Sequence, residues 1–145
     1  MKVVLQRVSG ASVNIGGETA GEIGTGYVAL LGIGAGDDKE KIKKTVDKIQ
    51  RLRIFPDSEG KINLSIGEVG GGLLVISQFT LYADCKKGNR PSFTAAAPQE
   101  LAEELYDYFI EYARGKFDAV RHGSFGADMK VTLTNDGPFT IILDD

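Results

Sequence analysis

The residues best placed to do chemistry stand together at Ser77-Gln78-Phe79-Thr80-Leu81. The run before them, Leu73-Leu74-Val75-Ile76, is wholly apolar and reads as a buried strand. Two hydroxyls and an amide then arrive where that strand ends. Polar groups taken out of water need partners, and lining a pocket supplies them; hydrogen bonding at a sheet edge is the alternative. Thr80 is either a nucleophile or a hydrogen-bond donor. With no base nearby in sequence, donor is the better role. On a continued strand, Ser77 and Phe79 would face one side, and Gln78 and Thr80 the other.

Other reactive side chains are scarce, and the scarcity excludes much. There is one cysteine, Cys85, and one histidine, His122. No intrachain disulfide can form, and a Cys/His zinc cluster within one chain is impossible. No metal or other cofactor is assigned. His122 could serve as a base. It adjoins neither a carboxylate nor a nucleophile, so a partly exposed loop histidine is the simpler reading. Cys85 lies beside Lys86 and Lys87, a setting that can activate a thiol. Without a base partner it reads as a small residue at a strand end. Gly32-Ile33-Gly34-Ala35-Gly36 sits between a strand and a helix, the context of a dinucleotide loop. Its spacing is GxGxG rather than GxGxxG, and Asp37 and Asp38 put negative charge where a pyrophosphate would lie. A plain strand-to-helix turn fits better.

Two more segments carry polar chemistry. Lys86-Lys87-Gly88-Asn89-Arg90-Pro91-Ser92-Phe93 packs three cations and an aromatic ring into one loop. With the lysine-rich segment at residues 39–48, it offers a local phosphate-binding surface; a solvated charge run is the alternative. Asn135-Asp136-Gly137-Pro138-Phe139-Thr140 is turn chemistry between strands, with a Gly-Pro bond that can be cis.

The elements that must position these residues fit one domain, since the 145 residues match a typical size of roughly 100–150. A net charge of -3 argues against a broadly basic nucleic-acid binder but leaves room for a local basic patch. The 19 glycines are about twice the usual share of ~7% and are not periodic, which points to tight turns or a site where main chain meets ligand. No apolar run approaches the ~18–20 residues that span a bilayer. Arg7 interrupts any leader core, so a cytoplasmic address is expected. Strands are predicted over residues 2–8 and 11–15, with a hairpin at Gly16-Gly17, a return strand over 18–23 and a buried strand over 27–33, together a three-stranded meander. Asp37 or Asp38 opens a helix, Asp37 with Glu40 in capping-box spacing, whose inner face is Ile42, Val46, Ile49 and Leu52 or Arg53. Turn clusters at 56–60 and 70–72 precede the strand at 73–81. Residues 84–97 read as loop. Pro98 starts a second helix with Leu101, Leu105, Tyr108 or Phe109, and Tyr112 on its apolar stripe. Strands over 129–134 and 139–143 end the chain. This order predicts α+β, a single domain with a largely antiparallel sheet and two packed helices.

Taken together, SQFTL at 77–81, GNRPSF at 88–93, FGADM at 125–129 and NDGPFT at 135–140 resemble the D-aminoacyl-tRNA deacylases of the DTD type. LQRVSGASV at 5–13 and RIFPDSEGKIN at 53–63 agree as well, so the likeness spans essentially the whole chain. One departure is His122, where a small hydroxyl residue is expected before Gly123. The resemblance implies a β-barrel-like, partly open sheet with helices outside, and a homodimer that shares its active sites across the interface. Each site would join SQFTL of one subunit to the Gly-Pro dipeptide of the other. The implied reaction is hydrolysis of the ester between a D-amino acid and the 3′-terminal adenosine of tRNA, with glycyl-tRNA also accepted. Implied roles follow residue by residue. The Phe79 and Thr80 backbone N–H groups stabilise the oxyanion, with Ser77 and Gln78 beside them. Gly137 and Pro138, with Asn135, form a chiral filter in cis, and Arg7 braces it. Lys86, Lys87 and Arg90 would meet the tRNA end. Two other classes fit the same residues: a tRNA-end binding module without turnover, and a general small-ester hydrolase.

Overall fold

The computed structural model describes residues 1–144. Strand β1 (Lys2–Ile15) organises the sheet. On one edge it pairs antiparallel with β8 (Lys130–Asp144) from Lys2↔Asp144 to Asn14↔Lys130. Its other edge carries two strands, β3 (Gly26–Gly32) along Lys2 to Val8 and β2 (Glu18–Ile23) along Ala11 to Ile15. So β1 is the centre of the opening segment rather than the edge of a meander. Beyond β3 the sheet turns parallel, through β6 (Gly72–Ser77) and β7 (Val120–His122). The largely antiparallel sheet thus carries a parallel extension. A Cβ at Gly21 of β2 would sit 3.2 Å from the Arg121 Cβ of β7, so the far ends of the sheet approach each other. The result is a nearly closed barrel. Among the described residues, β8 pairs only with β1 and leaves its second edge open.

Both long strands run through segments with turn chemistry. Ser9-Gly10 in β1 and Asn135–Pro138 in β8 are absorbed by register shifts between Gln6 and Val8 and between Val8 and Gly10. Each therefore makes one strand where two were expected, because pairing on both sides of the irregularity outweighs the local signal. Three short strands were not expected at all: β4 (Arg53–Pro56) and β5 (Ile62–Ser65), which form a hairpin, and β7.

Helices α1 (Lys39–Arg51) and α2 (Gln99–Arg114) cover one face of the sheet. The main core lies between, with Ile42, Val46 and Ile49 of α1 and Leu105, Tyr106, Phe109 and Ala113 of α2 against Leu5, Tyr27, Leu31, Leu73 and Val75. Tyr108 and Tyr112 are only partly buried, so the inner stripe of α2 runs through Leu105 and Phe109. A second cluster fills the barrel interior with Val8, Val13, Ile23, Val28, Leu74 and Ile76. Period-two alternation on β3 and β6 feeds both clusters, which is why these strands read as unbroken apolar runs. At Gly26 any side chain would run into the Gly72 backbone of the neighbouring strand.

Asp38 is the cap of α1, accepting from the Lys41 N–H at 2.8 Å. Asp37 does different work. Its buried carboxylate accepts from the Met1 ammonium at 2.7 Å, the Gly34 N–H at 2.6 Å and the Lys41 Nζ at 3.2 Å. Burial works to raise its pKa, but these donors together outweigh burial and hold it below the ordinary carboxylate value. Its stabilisation is therefore complete above the unfolded pKa of about 3.9 and is lost as pH falls through the lower folded value. Asp37→Asn is expected to cost about 3 kcal/mol in urea unfolding at neutral pH, and the gap to the parent should shrink in acid. A gap that stays constant from neutral to strongly acidic pH would contradict this account.

Candidate active site

Strand β6 ends at Ser77: the Gln78 N–H makes the last ladder bond, to the Leu31 carbonyl at 2.8 Å, and the Gln78 carbonyl then accepts from the Leu81 N–H at 3.2 Å as the chain enters a short 3-10 helix at Phe79–Tyr82. The expected alternation of Ser77 and Phe79 against Gln78 and Thr80 therefore does not occur. A 3-10 turn leaves its leading N–H groups without helical partners, here those of Phe79 and Thr80. Ser77, Gln78 and Phe79 line a cavity of about 710 Å³. Its other walls are Phe93, Ala96 and Ala97 from the preceding loop, Gln99 and Ala102 from α2, and residues 125–129 before β8. Phe79 is 56% exposed at the mouth and meets the Phe93 ring edge-on at 5.1 Å. Thr80 stands outside the lining, with its hydroxyl against the Gln78 amide nitrogen. The Tyr106 hydroxyl holds the wall from behind. Burial keeps it protonated, and it contacts the carbonyls of Val75 and Gly123, each at 3.1 Å.

Sequence reasoning did not single out Gln99, Asp128 or Met129 as site residues. Asp128 is the carboxylate in the lining, and the Lys130 Nζ lies 3.0 Å from it in an exposed ion pair. FGADM at 125–129 was the available signal, and it carried the resemblance without giving a place.

The second constellation lies on β8. The Asn135 side chain spans the irregularity, its Oδ1 accepting from the Phe139 N–H at 2.8 Å and its Nδ2 donating to the Thr140 hydroxyl at 3.0 Å. Between them the Gly137-Pro138 peptide is cis. Gly137 has φ +140°, and a Cβ there would meet the Phe139 nitrogen at 2.9 Å and an Arg7 Nη at 3.3 Å. Arg7 is buried beneath. Its Nε donates to the Asp136 carbonyl at 3.0 Å, its Nη1 to the Ile54 carbonyl at 2.6 Å, and its guanidinium lies 4.6 Å from the Phe139 ring centre.

Within one chain these two constellations are far apart. Ser77 pairs with Leu31, which pairs with Val3, whereas Asn135 pairs with Val8. Five residues along a strand and three strand-to-strand steps separate them by roughly 20 Å. The dipeptide is not in the cavity lining.

Lys86, Lys87 and Arg90 are exposed on a loop closed by paired backbone bonds between Asp84 and Ser92, at 2.7 and 3.0 Å. They are in no ion pair among the described residues. The loop leads directly into Phe93 of the cavity wall. Cys85 is exposed in this loop rather than at a strand end and does not line the cavity. His122 lies on β7, not in a loop, with Nδ1 2.8 Å from the Gly123 carbonyl and Nε2 3.3 Å from Arg114. The Gly34 N–H already has a carboxylate partner in Asp37, which fills the place a phosphate would need. Among the described residues, no group of three or more His, Cys, Asp or Glu side chains could hold a metal, and no helix is long and apolar enough to cross a membrane.

Known proteins resemble the whole chain. The family described as D-Tyr-tRNA(Tyr) deacylase matches residues 4–144. A D-aminoacyl-tRNA deacylase of Lactobacillus acidophilus is 54% identical over 99% of both chains. One of Teredinibacter turnerae is 51% identical over the same shares. A solved c-Myc DNA unwinding element binding protein superposes with a TM-score of 0.94 at 42% identity, covering 100% of this chain and 99% of its own. A probable eukaryotic D-amino acid tRNA deacylase, 19% identical with a TM-score of 0.86 over 99% and 98% of the two chains, shares the fold. The barrel, the cavity at the SQFTL turn and near-complete coverage at this identity lead to one assignment: the chain belongs to the D-Tyr-tRNA(Tyr) deacylase family.

Proposed function

We propose that the protein hydrolyses the ester of D-aminoacyl-tRNA, releasing free amino acid and tRNA, and so removes D-amino acids from translation. The observation that carries this reading is the 3-10 turn at Phe79, with unengaged N–H groups beside a cavity of about 710 Å³, in a chain of this family. Attack of water on the ester carbonyl builds negative charge on its oxygen, and the Phe79 and Thr80 N–H groups receive that charge. The carbon–oxygen bond to the 3′ position then breaks, and the leaving oxygen takes a proton. Among the described residues, the cavity lining holds one carboxylate, Asp128, whose partner is Lys130 at 3.0 Å. The family resemblance assigns activation of the water to the terminal 2′-hydroxyl of the tRNA. Thr80 acts as a donor rather than as a nucleophile.

The working unit is a homodimer. One chain leaves the Gly137-Pro138 dipeptide and the SQFTL turn at opposite ends, so a second copy supplies the missing half. The open edge of β8 and the exposed side chains of Ile142 and Phe79 offer contact surface. In the joint site, the dipeptide carbonyls take the substrate ammonium and leave no room for an L side chain, while glycine is admitted. Lys86, Lys87 and Arg90 receive phosphates of the tRNA end. Such a substrate places the protein in the cytoplasm.

The decisive assay compares ester loss from D-, L- and glycyl-tRNA with that from a free D-amino ester. Fast loss from D-aminoacyl- and glycyl-tRNA, and slow loss from the other two, is expected. Equal D and L rates would overturn the chiral reading, and binding without turnover would overturn the enzyme.

A further inference from the structure

Helix α1 carries six cations and two carboxylates in KEKIKKTVDKIQR, on a protein whose net charge is -3. Its acidic groups are all committed. Asp38 caps the helix, Glu40 holds Lys43 at 2.8 Å, and Asp47 takes Lys116 and the Tyr112 hydroxyl, both at 3.2 Å. Lys39 is spent on Glu104 and Lys41 on Asp37. Lys44, Lys48 and Arg51 remain, all exposed and in no ion pair among the described residues; Arg51 bonds only to the Asp47 carbonyl. At 100° per residue these three share one stripe, opposite the buried face of Ile42, Val46 and Ile49 and turned away from α2. The stripe is about 10 Å long, the axial reach of about three phosphates on one strand.

Its position relates it to the cavity. The segment before α1 touches the cavity wall, through the Gly34–Ala96 bridge and the Ala97 N–H on the Ile33 carbonyl at 2.9 Å. From there α1 runs away, so the stripe starts roughly 10 Å along the helix from that rim.

We infer that Lys44, Lys48 and Arg51 form a second RNA contact, which tracks the phosphates of the tRNA's double-stranded acceptor arm rather than its 3′ end. The inference rests on the deacylase reading for its choice of RNA. Contacts of this kind add affinity and salt dependence without sequence preference. They also divide the work: the loop at 86–90 meets the terminus and α1 meets the duplex.

The test measures two things on the same proteins. Binding of deacylated tRNA is followed against salt, and turnover is followed on a short aminoacylated 3′-end oligonucleotide. The triple variant K44A/K48A/R51A should bind tRNA on the order of tenfold more weakly at low salt, and its log–log salt slope should flatten by about two to three. Turnover of the oligonucleotide should match the parent. The charge-keeping triple K44R/K48R/R51K should bind like the parent. Unchanged tRNA affinity and salt slope in the alanine triple would overturn the inference, and so would equal loss of binding in the charge-keeping triple. Tighter binding of the parent to phosphatidylserine vesicles than to tRNA, abolished in the alanine triple, would assign the stripe to a membrane and overturn it too. Failure of the parent to turn over the oligonucleotide would count against the deacylase reading alone, because the binding arm does not depend on turnover.

Discussion

Arg7→Ala is expected to slow D-aminoacyl-tRNA deacylation by at least about 100-fold while the protein still folds. The guanidinium ties two backbone carbonyls from different elements, Asp136 on β8 at 3.0 Å and Ile54 on β4 at 2.6 Å, and supports the Phe139 ring. Hydrogen bonds from a charged donor contribute roughly 1.5–3 kcal/mol each, and the two carbonyls would lose theirs inside the fold. A net stability cost of about 3 kcal/mol is reasonable, less than most domains hold. The kinetic cost should be larger than that loss suggests. Reaction geometry is steep, and a displacement of about 1 Å at a positioning group can cost on the order of 100-fold. Arg7→Lys keeps the charge and loses the planar fork, so it should recover stability better than rate. The informative readout is the ratio of D to L turnover, measured where both variants are folded. A brace for the Gly137-Pro138 dipeptide predicts that the ratio falls along with the rate. A parental ratio and a parental rate in Arg7→Ala would show that the dipeptide holds its place without the brace.

How much of this was legible depends on how local each feature is. The strand over 73–77 was readable because Leu73 to Ile76 is uniformly apolar, but its end was not: the predicted strand ran on to Leu81. The turn after it was not readable either. Pairing with β3 stops at the Leu31 carbonyl, 47 positions earlier in the chain, and only past that point does the Gln78 carbonyl accept from the Leu81 N–H at 3.2 Å. The inner face of α1 followed from spacing within one helix, but the cap did not: spacing to Glu40 pointed to Asp37, and Asp38 takes that place. The separate role of Asp37 required the Met1 ammonium, which folding brings from 36 positions away. In β1 and β8 the local evidence misled. Ser9-Gly10 and Asn135–Pro138 look like breaks, yet pairing on either side carries each strand through. The cavity is the extreme case, drawn from β6, the loop at 93–97, α2 and residues 125–129. No periodicity joins those segments. Ser77 to Thr80 and the cations at 86–90 came to notice from residue type and placement, whereas the roles of Gly137, Pro138 and Arg7 came only through the family resemblance. The cation stripe of α1 was half legible: the lysines were plain, but which of them remain unpaired depends on Glu104 and Lys116, contributed by distant parts of the chain.

Mixing two inactive variants should restore activity, and that recovery tests the shared site directly. One variant would disable the SQFTL turn, and Phe79→Pro does so by removing one of the two N–H groups proposed to hold the oxyanion. The other would disable the dipeptide through Gly137→Val, since a Cβ at that position already crowds Phe139 and Arg7. Each homodimer then has two broken sites. In a mixed dimer, one site combines both defects and the other combines the intact turn of one chain with the intact dipeptide of its partner. Random re-association gives about half mixed dimers, each with one working site of two, so recovery should approach about a quarter of the parental rate. Recovery must grow with the time allowed for exchange and vanish if the subunits are cross-linked before mixing. A site contained within one chain predicts no recovery at any ratio, because every chain in the mixture carries a defect. That outcome would require a single subunit to bridge the roughly 20 Å between Ser77 and Asn135. The strand registers forbid this without dismantling the β1–β3 and β1–β8 ladders.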